Sequence, residues 1–153
     1  QLNTVLTYID VGKSEGAQLL SGGNRLTAAP YEKGFFVEPT VFGGVTPDMK
    51  IAQEEIFGPV LAIIAVDDFD QALQVANANR FGLSAAICTR DISRALEFVD
   101  RIEAGLVHVN SPTVGAEVQV PFGGMKDSST GTREQGRVAV DFYTQTKTVY
   151  LEY

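Results

Sequence analysis

The chain has 153 residues, of which 44% are hydrophobic and 20% charged, the profile of a globular protein. A compact domain of this size buries roughly 70% of its unfolded surface. Nineteen acidic against twelve basic side chains give a net charge of −7, which opposes binding to nucleic acid or anionic membranes through Lys/Arg clusters. One cysteine excludes an internal disulfide and suits a reducing, cytoplasmic setting, and one histidine leaves no Cys/His set for a transition metal.

No apolar run approaches the roughly 20 residues of a membrane span. Gln1-Leu2-Asn3-Thr4 lacks the basic start and long apolar stretch of a signal peptide. A helix entered at once, without a capping lead-in, is expected of a chain that starts inside a longer one. Leu2, Val5, Leu6 and Ile9 follow the i, i+3, i+4, i+7 rule and predict an amphipathic helix over 2–11, loosened by Gly12 and Gly16. Ala17 to Leu20 reads as a short strand before the Gly22-Gly23 turn, and 24–34 as a surface loop. Phe35-Phe36-Val37 and Thr40-Val41-Phe42 are β-rich runs broken by Pro39, which points to an edge or bent strand.

Val60 to Val66 is continuously apolar, as expected of a strand covered on both faces. Asp68 with Gln71 forms a capping box before a helix whose inner face is Phe69, Leu73 and Ala76. Leu83 to Cys88 is the next strand. Asp91 caps a second helix with Ile92, Leu96, Val99 and Ile102 on one side, and Leu106 to Val109 returns as a strand after Gly105. This alternation predicts an α/β fold with a mostly parallel sheet and crossover helices. The loop from Asn110 to Gly124 leaves the carboxyl end of a strand, where ligands of such sheets tend to sit. Beyond a short helix after Gly136, Thr146 to Tyr153 alternates as a strand does. It either folds back on its own sheet or pairs with another chain.

Catalytic groups are scarce. Cys88, the only thiol, lies in an apolar strand with no adjacent cation or helix start to lower its pKa, and reads as a small buried hydrophobe. His108 lies between two valines and reads as a core or strand-end residue. Glu54 and Glu55 are adjacent, point in different directions and make a poor acid–base dyad. On residue type alone, Glu55 ahead of Ile56-Phe57-Gly58-Pro59 is either a solvated loop acid or a ligand carboxylate. A carboxylate accepts two hydroxyl hydrogen bonds, and a neighbouring aromatic ring can support a nicotinamide. The Gly-Gly pairs at 22, 43 and 123 have no phosphate-loop spacing.

Five stretches in order resemble the aldehyde dehydrogenase superfamily: Tyr8 to Ala17, Phe36 to Phe42, Ile51 to Val60, Ala76-Asn77 through Phe81 to Ala85, and Pro121 to Lys126. The resemblance implies that 1–137 is the later part of a catalytic domain and 138–153 an oligomerisation segment, with 146–153 joining a homo-oligomer. It implies that Glu55 binds the nicotinamide ribose of NAD or NADP, that Phe57 packs near the nicotinamide, and that Phe122 lines an aldehyde tunnel. The loop Thr113 to Val120, with Val114 and Val120, would tune the substrate. The implied reaction oxidises an aldehyde or semialdehyde to the acid through a cysteine thiohemiacetal, with hydride passing to NAD or NADP. The nucleophile, the general-base glutamate and the Rossmann domain lie upstream of residue 1 in that pattern, so the isolated chain is expected to be inactive. Lys126 to Gly136 looks more like the semialdehyde dehydrogenases of the α-ketoglutaric semialdehyde (2,5-dioxopentanoate) type. Gln145 stands where many relatives place a glutamate facing an arginine, a role that falls here to Arg133. A non-catalytic interaction module bearing the same fold is the alternative, and a cofactor-binding domain without catalysis a third.

Overall fold

The computed structural model describes residues 1–115 and 117–153, and the chain divides into two compact units, 1–75 and 76–153. The first unit opens with α1 (Leu2–Ser14), whose apolar stripe buries Val5 and Ile9. The helix runs three residues past its expected end because Gly12 is buried rather than exposed. A Cβ there would stand 3.1 Å from Ile51 and 3.2 Å from Phe42, so the glycine lets both side chains approach the helix axis. Gly16, at φ +93°, then turns the chain out of the helix.

β1 (Gln18–Ser21) follows, then β2 (Arg25–Leu26), β3 (Phe36–Val37) and β4 (Thr40–Gly43). Pro39 does break the β-rich run, but the two halves have different fates. β3 pairs only with β2, whereas β4 is the centre of a three-stranded sheet, antiparallel to β1 and parallel to β5 (Val60–Ala62). β4 is therefore not an edge strand: Thr40, Phe42 and Gly43 are buried. The Thr40 hydroxyl is satisfied in that position, donating to Glu38 O at 2.8 Å and accepting from Gly23 N at 3.0 Å.

A four-residue helix that the sequence pattern did not mark, α2 (Lys50–Gln53), connects β4 to β5. The Glu15 carboxylate accepts from Lys50 N at its start. β5 is shorter than the Val60 to Val66 run and covered on one face only. Val60, Ala62 and Ile64 pack on the core of Val5, Ile9, Phe42, Val45, Ile51 and Ile56, while the alternate Leu61 and Ile63 are exposed.

α3 (Phe69–Asn77) begins as its capping residues predict. Asp68 Oδ1 accepts from Gln71 N at 2.8 Å, and Gln71 Oε1 reaches back to Asp67 N at 2.5 Å. Leu73 is its buried residue; Ala76, expected on the inner face, is exposed.

The second unit contains β6 (Phe81–Gly82), β7 (Ser84–Ile87), α4 (Ile92–Arg101), β8 (Leu106–Val109), β9 (Met125–Lys126), a 3₁₀ turn (Gly136–Val138) and α5 (Ala139–Tyr143). β7, α4 and β8 form a parallel β-α-β unit with four rungs from Ser84↔Leu106 to Ile87↔Val109, while β6 pairs antiparallel with β9. The expected parallel strands and crossovers are thus present, but as two pairs in separate sheets rather than one continuous run. Asp91 caps α4 through Ser93 N and Arg94 N. The helix is rotated from its expected setting: Ala95, Phe98 and Ile102 are buried, and Ile92, Leu96 and Val99 are exposed. Two apolar stripes run side by side along α4, and the one carrying the bulky Phe98 goes inward.

Residues 144–153 form no strand within the chain, and Val149, Tyr150, Leu151 and Tyr153 are exposed. A strand needs a ladder partner, and of the two alternatives, fold-back onto the chain's own sheet is not found among the described residues. Among the described residues no helix is long and apolar enough to cross a membrane. Phe42 has 0% exposure at the centre of the first unit, so Phe42→Ala is expected to destabilise the chain by about 3–5 kcal/mol. Denaturant unfolding measures this, and an unshifted midpoint contradicts the core described here.

Candidate functional site

The first unit carries the Glu54 to Gly58 loop between α2 and β5. At Glu54 the backbone leaves the helix and becomes extended, with φ −115° and ψ 145°. The Tyr8 hydroxyl donates to Glu54 Oε2 at 2.5 Å. This hydrogen bond, helped by desolvation and by the Glu54 charge, pushes the Tyr8 phenol above its ordinary pKa of 10.0. The phenol therefore stays a donor through the neutral range, and the bond is lost only as pH rises through that elevated value.

Ile56 is buried and anchors the loop in the core. Phe57 then takes φ +53° with 72% of its surface exposed. A bulky aromatic in the left-handed region is a genuine outlier, and its large exposed area forgoes the usual gain from burial. Such conformations persist where the surroundings over-determine them. Here the Gln1 side-chain amide donates to both Ile56 O and Phe57 O, each at 2.9 Å. Glu55 sits between these anchors. Its carboxylate is exposed and makes no hydrogen bond or ion pair among the described residues. Two open carboxylate oxygens beside an exposed aromatic ring fit a vicinal diol next to a flat heterocycle, which is the chemistry of a nicotinamide riboside.

The second unit holds the other expected residues. Phe122 is half-buried and lines a cavity of about 380 Å³ together with Leu83, Ser128, Ser129, Glu134 and Phe142. The surrounding loop is held by hydrogen bonds to main-chain groups. Ser128 Oγ accepts from Gly82 N at 3.0 Å, Ser129 Oγ from Gly124 N at 2.8 Å, and Phe122 O from Glu134 N at 3.1 Å. Lys126, at φ +52°, donates to Asn77 O and Asn79 O and faces Glu103 at 3.4 Å. Val114 and Val120 are 73% and 42% exposed and do not line the Phe122 cavity. Ala116, inside the same loop, lies outside the described residues.

The sequence pattern gave no sign of Leu83, Glu134 or Phe142 as neighbours of Phe122, because they come from separate segments brought together by the β6–β9 pair and the last helix. Asn110 is a further case. At φ +56° its side chain accepts from Thr89 N and donates to Thr89 O, both at 2.9 Å, which adds one rung beyond the β7–β8 ladder. Cys88 departs from expectation: it is exposed just past β7, beside Thr89, Arg90 and Asn110, because the ladder closes at Ile87. His108 is half-buried on β8, its Nδ1 at 3.4 Å from Ser111 Oγ.

A sequence model described as the aldehyde dehydrogenase family matches residues 1–149. The chain belongs to that family. An alpha-ketoglutaric semialdehyde dehydrogenase of Bacillus subtilis is 53% identical over 99% of the chain and 31% of its own length. An alpha-ketoglutarate semialdehyde dehydrogenase of Haloferax volcanii is 55% identical over 100% and 32%, respectively. A 2,5-dioxopentanoate dehydrogenase of Saccharolobus solfataricus is 48% identical over 98% and 31%. The chain therefore spans about a third of the length of these curated relatives. Among solved structures, an indole-3-acetaldehyde dehydrogenase complexed with NAD+ superposes with a TM-score of 0.90 at 41% identity, covering 99% of this chain and 30% of that one. A Mycobacterium tuberculosis aldehyde dehydrogenase complexed with NAD+ gives 0.89 at 40%, with the same coverage of both chains. The α/β architecture is thus that of an aldehyde dehydrogenase, and the Ile51 to Val60 and Pro121 to Lys126 stretches lie inside the matched region.

Within that family segment, Gly105 crosses the Phe122 loop at backbone distance. A Cβ on Gly105 would stand 1.9 Å from Gly123 O, a carbonyl that cannot move without displacing the loop. Gly105→Ala is expected to cost about 1–3 kcal/mol or more. Denaturant unfolding checks this, and an unchanged midpoint contradicts the crossing.

Proposed function

We propose that this chain is the later catalytic-domain portion of an NAD(P)-dependent semialdehyde dehydrogenase that oxidises its substrate to the carboxylic acid. The observation that carries the reading is the open Glu55 carboxylate beside the exposed, positive-φ Phe57, in a chain of the aldehyde dehydrogenase family. Glu55 accepts the nicotinamide ribose hydroxyls and Phe57 supports the nicotinamide, while NAD(P), when bound, supplies the hydride acceptor. Phe122 lines the aldehyde tunnel, and the loop carrying Val114 and Val120 tunes what enters it. The names of three relatives at 48–55% identity, two semialdehyde dehydrogenases and a 2,5-dioxopentanoate dehydrogenase, favour a short substrate that carries its own carboxylate.

In this reading 1–137 belong to the catalytic domain and 138–153 to an oligomerisation segment, and the enzyme works in the cytoplasm. The exposure of Val149, Tyr150 and Leu151 supports pairing of 146–153 with another copy of the enzyme. The nucleophilic cysteine and the general base come from parts of the enzyme outside these 153 residues. Cys88 has neither a base nor a ligand-facing aromatic beside it, its neighbours being Thr89, Arg90 and Asn110.

In the full-length enzyme, Glu55→Gln is expected to lower kcat/KM for the cofactor by about ten- to a hundredfold, the worth of hydrogen bonds to a charged group. Steady-state kinetics with NAD(P) varied checks it, and unchanged values remove Glu55 from the site. Cys88→Ala is expected to leave semialdehyde oxidation intact. Lost activity in a folded protein would make Cys88 the nucleophile and overturn the assignment to another segment.

A further inference from the structure

Gln1, Val5 and Tyr8 stand at i, i+4 and i+7 and so share one face at the start of α1. The loop 54–58 lies across that face residue by residue. Glu54 takes the Tyr8 phenol, the Ile56 and Phe57 carbonyls take the Gln1 amide, and Gly58 rests on Val5. A Cβ on Gly58 would stand 2.4 Å from Val5 Cγ2, so the loop backbone lies directly against the helix face. Val5 and Ile56 are both buried in the core beneath it. Only Glu55 is left unengaged. Glu54 leaves α2 with extended dihedrals and is held on Tyr8, while Glu55 beside it is exposed. Holding Glu54 on Tyr8 therefore fixes the backbone from which the open Glu55 carboxylate projects.

We infer that the Gln1–Val5–Tyr8 face of α1 is a positioning platform for the cofactor loop, with Tyr8 and Gln1 acting on the nicotinamide ribose through Glu55 and Phe57. The inference rests on the assignment of Glu55 to the ribose. Tyr8 and Gln1 touch no ligand in this account. They fix a carboxylate and a strained aromatic before the ligand arrives, so that binding need not order them. The two side chains reach 46 and 55 residues along the sequence, which places the platform on a rigid helix rather than in the loop itself.

The test is steady-state kinetics of the full-length enzyme with NAD(P) and aldehyde varied separately. Tyr8→Phe removes one oxygen and is expected to raise the KM for NAD(P) about three- to tenfold, with the aldehyde KM unchanged. Glu54→Ala is expected to do the same, whereas Glu54→Gln, still an acceptor for the phenol, recovers most of the lost affinity. This pair carries the same test should Tyr8→Phe prove insoluble. In Tyr8→Phe/Glu55→Gln the two losses are expected not to add, since Tyr8 works through Glu55. Equal rises in both KM values, full additivity, or no effect of Tyr8→Phe where Glu55→Gln is impaired would overturn the platform and leave the Glu55 assignment standing. Unchanged cofactor kinetics in Glu55→Gln would overturn that assignment and the platform with it.

Discussion

Phe42 packs without exposed surface under Gly12 of α1 and beside Ile51 of α2, and the first unit depends on that contact. Burying a phenylalanine is worth about 1.5–3 kcal/mol. The contact also sets a distance, since a side chain at residue 12 would press on Phe42 and Ile51 at 3.1–3.3 Å and push α1 outward by a few tenths of an ångström. With α1 held there, Val5 meets Gly58, Tyr8 meets Glu54, and Gln1 meets the carbonyls of Ile56 and Phe57. The open carboxylate of Glu55 is thus the end of a chain of constraints that begins in the core. The loop itself is short of regular structure. Its conformation is imposed from the helix beneath it.

The second unit combines close backbone crossings with side chains that cap main-chain groups. Gly82, Gly105, Gly123 and Gly124 let strands and loop pass so closely that most added Cβ atoms would strike main-chain atoms. Ser128 and Ser129 then cap the amides of Gly82 and Gly124, and Lys126 gathers carbonyls at the end of α3. Phe122 is carried on this tightly specified turn. Val114 and Val120 belong to a more exposed stretch outside the Phe122 cavity.

Local signals were legible wherever the cause was local. The α1 stripe, the Asp68–Gln71 box, the Asp91 cap and the β7-α4-β8 unit all follow from spacing and residue type. Where two solutions shared one pattern, tertiary packing decided. Phe98 rather than Leu96 turned inward on α4, Gly12 continued a helix it was expected to loosen, and Leu61 and Ile63 remained exposed in an all-apolar run. The site divides the same way. Glu55, Phe57 and Phe122 were reached through family resemblance, carried by contiguous motifs. Tyr8, Gln1, Glu134 and Phe142 join their neighbours only through the fold, from positions far along the chain, and no periodicity announces them. Cys88 was misjudged as buried because its strand ends one residue earlier than the apolar run.

Under the proposed function, Glu55, presented by α1 and followed by the exposed Phe57, holds the nicotinamide ribose. A crystal structure of the full-length enzyme with NAD(P) tests it most directly. Both Glu55 carboxylate oxygens are expected at about 2.5–3.0 Å from the ribose hydroxyls, with Phe57 still at positive φ. A ribose held by other residues, with Glu55 turned to solvent, would contradict it.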